Sequence, residues 1–105
     1  MAPTKDQSLA DLAKLFDLLS DKTRLHLVFL LAKGDCNVIS LCDKLKLPQP
    51  GVSHHLGLLR MNGMAVANRK GKQVFYSLAE NIRVSGGKLK ISLPSATVTI
   101  DGMMA

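Results

Sequence analysis

Gln49, Ser53, Gly57 and Arg60 recur at helical spacing, and a polar run, Asn68-Arg69-Lys70-Gly71-Lys72-Gln73, follows soon after with three cations in four residues. An amide and a hydroxyl on one helix face can hydrogen-bond to base edges in a DNA major groove, while Arg69, Lys70 and Lys72 suit phosphates or a minor groove. Gly57 has no side chain to hold such a helix away from its target. The plain alternative is a helical core with a solvated polar face. Other chemistries lack their residues. His54 and His55 are adjacent, hence about 100° apart on a helix, and cannot chelate one ion as an i, i+4 pair can. No serine or cysteine has an orienting base at motif spacing, no glycine-rich loop follows a strand, and the acids are scattered singly, so no catalytic residue and no cofactor is expected: the chain reads as no enzyme.

These side chains need positioning, and the chain supplies the elements. From Ser8, paired with Asp11 as a cap, Leu9, Leu12, Leu15, Phe16 and Leu19 repeat at helical spacing and predict an amphipathic first helix. Ser20 and Asp21 cap a second that is apolar nearly all round, from Leu25 to Ala32, and Gly34 stops it. Asn37 caps a short third helix burying Leu41, Cys42 and Leu45, which Leu47-Pro48 breaks. A fourth begins near Gln49, accepts Pro50 in its first turn and ends at Gly63, with Val52, His55, Leu56 and Leu59 inward. The period then switches to two: Met64 and Val66 on one side of the polar tip, Val74, Tyr76 and Leu78 on the other, predict a β-hairpin. Beyond Ser85-Gly86-Gly87, read as a flexible link, the runs 88–93 and 96–100 around Pro94-Ser95 predict a second hairpin. The expected fold is α+β: a winged helix-turn-helix of four helices plus a hairpin wing over residues 8–80, and a β-rich extension over 81–105 packing on it.

Composition narrows the partners. The 105 residues, 47% hydrophobic and 21% charged, fit one domain. Residues 1–59 carry seven basic and six acidic side chains, whereas residues 60–90 carry seven basic and one acidic. Nearly all of the net charge of +6 therefore sits in one region, which suits a polyanion. The longest apolar stretch falls far short of the roughly 18 to 20 residues of a membrane span, and the start MAPTKDQS has no apolar export segment, so a cytoplasmic protein without a membrane partner is expected. Cys36 and Cys42 could close only one small loop and read as free thiols.

The run LCDKLKLPQPGVSHHLGLLRMNGMAVANRKGKQVFYSL, preceded by LSDKTRLHLVFLLAKGD, resembles the winged-helix core of the ArsR/SmtB family of bacterial dimeric transcriptional repressors. The likeness spans about residues 9–79. It implies a homodimer bound to double-stranded DNA at an operator and released by a chemical signal, with major-groove contacts at Gln49, Ser53 and His54 and wing contacts at Arg69, Lys70 and Lys72. Arg60 extends the basic face, and Leu9, Leu12, Leu15, Phe16 and Leu19 would supply the dimer seam. His55 matches a position that supports the helix from inside. The chain also departs from the family. Where metal-sensing members enter the third helix with Cys-Val-Cys, this chain has Asn37-Val38-Ile39, and where others place Asp and His pairs on a fifth helix, residues 79–105 hold no histidine and read as strand. Neither metal site is expected, and nothing names an inducer. Two rival readings stay open: a winged-helix protein-interaction module whose basic wing meets an acidic partner, and a thiol- or metal-responsive repressor using Cys36 and Cys42.

Overall fold

The first helix begins one turn before its expected cap. In the computed structural model, which describes residues 4–102, α1 runs Lys5–Leu19 and is capped by Thr4, not Ser8. The Thr4 hydroxyl accepts the Gln7 amide at 3.1 Å, and Ser8 lies inside the helix with its hydroxyl donating to the Thr4 carbonyl at 3.0 Å. Both residues are good caps; the earlier one prevails because each added residue gains a backbone bond without a new nucleus, and Asp6 complements the positive helix end. Asp21 caps α2 (Lys22–Ala32), accepting the Arg24 amide at 3.0 Å. Asn37 caps α3 (Val38–Leu45) through the Ser40 amide at 2.8 Å. Lys46 turns left-handed at φ 58°, and α4 (Gln49–Met61) follows with proline in its first turn. α3 and α4 are the two helices of a helix-turn-helix.

A short strand absent from the sequence expectations, β1 (Cys36–Asn37), precedes α3 and pairs antiparallel with β3 (Gln73–Leu78), whose other edge takes β2 (Ala65–Lys70). The wing is thus a three-stranded sheet in the order β1-β3-β2, closed by the pair Lys70↔Gln73 around Gly71-Lys72. Gly71 sits at φ 64°, the left-handed region a two-residue hairpin turn requires.

The C-terminal strands fall where alternation put them, but they have a third companion. β4 (Ile82–Ser85), β5 (Lys88–Ser92) and β6 (Thr97–Asp101) form a second antiparallel sheet in that order. Ser85↔Lys88 are paired, so Gly86-Gly87, expected to be a flexible link, is instead a tight turn with both glycines at positive φ, 59° and 77°. The register aligns Ile82, Ile91 and Val98 in one cross-strand row and Leu89 with Ile100 in the next, giving the sheet one apolar face. Through that face Ile82, Leu89 and Ile91 join a single core with Leu15 and Leu18 of α1, Leu27, Val28 and Leu31 of α2, Leu41 of α3, and Val52, Leu56 and Leu59 of α4. Among the described residues, no polar or charged side chain is buried, and no helix is long and apolar enough to cross a membrane.

Candidate nucleic-acid interface

The period of α4 sorts its residues into two roles. Val52, Leu56 and Leu59 are buried, which fixes the helix on the core and turns Gln49, Ser53, His54 and Arg60 outward, all exposed. Arg69 and Lys70 at the end of β2 and Lys72 in the turn are exposed as well. The structure brings Gln49 and Lys72 together: both line a cleft of about 220 Å³ with Asn37, Val38, Ile39, Gln73 and Val74. The helix start and the wing turn therefore form one continuous surface. Arg60 stands apart from this cleft, eleven residues and about 16 Å along the helix from Gln49. The Lys70 ammonium lies 5.3 Å from the centre of the Phe75 ring, a cation–π distance that stiffens the wing.

Two further polar residues, Asn37 and Gln73, line the cleft. The Asn37 amide donates to the Gln73 side-chain carbonyl at 3.2 Å, tying the start of α3 to the wing strand while its own oxygen caps α3. Asn37 was legible as a cap and Gln73 as part of the polar tip. Their meeting depends on β1 beside β3, a pairing that no local pattern announces.

His55 points the other way, into a half-buried junction of α1, α2 and α4. The Arg24 guanidinium donates to the Leu18 carbonyl from Nε at 2.7 Å and lies 3.3 Å from His55 Nδ1 through Nη1. Since a guanidinium only donates, that contact requires a lone pair on Nδ1. The Asp21 carboxylate stands 4.0 Å from the same nitrogen. The Arg24 amide bound to it holds the Asp21 carboxyl below its ordinary value, against a smaller opposing effect of desolvation and aided by the nearby guanidinium of Arg24. This junction anchors the inner side of α4 at its middle, so the outer side presents Ser53 and His54 from a fixed helix.

The thiols lie elsewhere. Cys36 is buried under Lys44, whose ammonium donates to its sulfur at 3.5 Å, and Cys42 is half-buried; both are free. Among the described residues, no three His, Cys, Asp or Glu side chains stand together as metal ligands. Of the expected seam residues, Leu9 and Phe16 are 57% and 55% exposed, Leu12 and Leu19 are half-buried, and Leu15 is taken into the chain's own core together with Leu18. Leu15 is thereby withdrawn from an outer seam, because α1 is turned so that residues 15 and 18, not 9 and 16, face the core.

Known proteins resemble this arrangement. The family described as bacterial regulatory protein, arsR family, matches residues 21–66. The chain is 40% identical over 77 residues to the arsenical resistance operon repressor of Escherichia coli (strain K12), a match spanning 72% of this chain and 66% of that one. Among solved structures, the transcriptional repressor BigR from Xylella fastidiosa aligns with a TM-score of 0.67 at 36% identity, over 71% of this chain and 76% of that one. The homodimeric winged helix-turn-helix DNA-binding domain of Mb0332 from Mycobacterium bovis aligns with a TM-score of 0.63 at 27% identity, over 75% of this chain and 76% of that one.

Proposed function

Since the chain belongs to the arsR family of bacterial regulatory proteins, a family of transcriptional regulators and not of enzymes, we propose that it is a homodimeric repressor of a near-palindromic operator, working without the metal sites of its metal-sensing relatives. Two copies of α4 enter successive major grooves about 34 Å apart. Gln49, Ser53 and His54 read base edges there. Arg69, Lys70 and Lys72 on the wing, with Arg60 at the far end of α4, neutralise phosphates and supply affinity common to all sequences. The exposed apolar edge of α1, Leu9 and Phe16 with Leu12 and Leu19 beside them, forms the seam between subunits; the homodimeric state of the Mb0332 domain supports that reading.

The observation that carries the proposal is the shared cleft of Gln49 and Lys72, which makes a base-reading helix and a cationic wing one surface. A protein-interaction module would have no need of hydrogen-bonding side chains in that order beside the wing. Selection of bound sequences from random duplex DNA tests it. Enrichment of a two-fold symmetric site is expected; a pool that stays random after repeated rounds would contradict the proposal.

A further inference from the structure

Among the described residues, the outward faces of α1 and α2 carry charges that match. On α1 the outward face carries Leu9, Ala10, Ala13 and Phe16, flanked along one side by Asp6 and Asp17. These acids are eleven residues apart, three turns of helix, so they project in nearly the same direction about 16 Å from one another. On α2 a groove of about 330 Å³ is lined by Leu25, His26, Phe29 and Leu30 and bounded by Lys22 and Lys33. The two lysines are also eleven residues apart. Among the described residues, none of these four charges makes an ion pair. One face thus offers two carboxylates at the spacing at which the other offers two ammonium groups, with apolar side chains between the charges in both.

We propose that α1 of one subunit lies in the α2 groove of its partner, and reciprocally, so that Asp6 and Asp17 meet Lys22 and Lys33 across the seam. The proposal rests on the homodimer reading above and names the surface that receives α1. A chain cannot fold its own α1 into this groove, because Leu15 and Leu18 already hold the opposite side of α1 in the core. A two-fold axis places each face against its complement twice, giving four helices around a shared apolar centre of Leu9, Phe16 and Phe29. Ala10 and Ala13 let the helix backbones approach. A seam of α1 against α1 would instead set Asp6 and Asp17 against their own copies.

The test is a charge exchange on the full chain, read by sedimentation equilibrium with circular dichroism confirming the fold. Lys22→Asp with Lys33→Asp should raise the dimer dissociation constant about tenfold or more, and Asp6→Lys with Asp17→Lys should do the same. The milder pair Lys22→Gln with Lys33→Gln should weaken association less. Combining the four reversals should return it toward the wild-type value, since every pair is again opposite in sign. An α2-reversed protein that dimerises like the wild type would overturn the proposal, as would a fourfold variant no tighter than the double ones. Either result leaves the homodimer reading standing, whereas a wild-type chain that is monomeric at micromolar concentration removes both.

Discussion

Ser53 and Lys70 are both exposed and polar, yet the proposed function gives them different work. A hydroxyl on α4 contributes to discrimination because it reaches only certain base edges, while an ammonium on the wing meets a phosphate that every sequence carries. Ser53→Ala and His54→Ala should therefore each reduce the preference for the operator over a scrambled duplex, by about 1 to 3 kcal/mol for each lost base contact. Lys70→Ala and Lys72→Ala should weaken both duplexes alike and flatten the dependence of binding on salt. Anisotropy titrations at several salt concentrations separate the two groups, and helix and wing variants losing the same quantity would show the roles to be misassigned. Metals give a second residue-level expectation. With Asn37 and Ile39 at the positions where the family resemblance implies thiols in metal-sensing members, and no His, Cys, Asp or Glu triad among the described residues, zinc, cadmium or arsenite should leave operator affinity unchanged. A metal-induced release that disappears in the Cys36→Ser, Cys42→Ser variant would promote those two thiols to a sensor.

Elements differ in how openly the sequence announces them. α2 could be read from its Asp21 cap and apolar run, α4 from its apolar spacing, the proline in its first turn and the Leu47-Pro48 break ahead of it, and the wing from its alternation and glycine turn. Thr4 and Ser8 compete for one helix start, and a cap preference alone does not choose between them. β1 is two residues long, too short to show any period, and exists because Cys36 and Asn37 lie against Phe75 and Tyr76 far along the chain. β4 alternates over only four residues, so Gly86-Gly87 read as a link, although paired glycines are also the signature of the hairpin turn found there. The same limit applies to the site: Gln49, Ser53 and the wing cations were legible, whereas the Asn37–Gln73 contact needed the sheet. Because β5 sends Leu89 and Ile91, both fully buried, into the common core, the second sheet is a structural element of the domain and not an ornament. Ile91→Ala should lower stability by about 2 to 5 kcal/mol, the range for a large aliphatic side chain removed from a close-packed core. Denaturant unfolding measures it, and a loss under about 1 kcal/mol would mean that the sheet is only loosely attached.

For the whole molecule, charge and symmetry act together. The excess of cations lies in residues 60–90, and its wing members share a surface with the start of α4, so binding should be fast and strongly salt-dependent, with specificity added by the helix. In the proposed homodimer both contributions are doubled, and the seam between subunits sets the spacing of the half-sites. The chain spans 66% of the Escherichia coli repressor it matches, and the α4 and wing residues assigned to DNA lie within or beside that family's matched segment, residues 21–66. The measurement that bears most directly on the central claim compares the full chain's affinity, at physiological salt, for a duplex enriched from the random pool and for a scrambled duplex of the same length and composition. A homodimeric operator repressor should bind as two chains per enriched duplex and prefer it at least about a thousandfold. Equal affinity for both duplexes, with the same salt dependence, would contradict it.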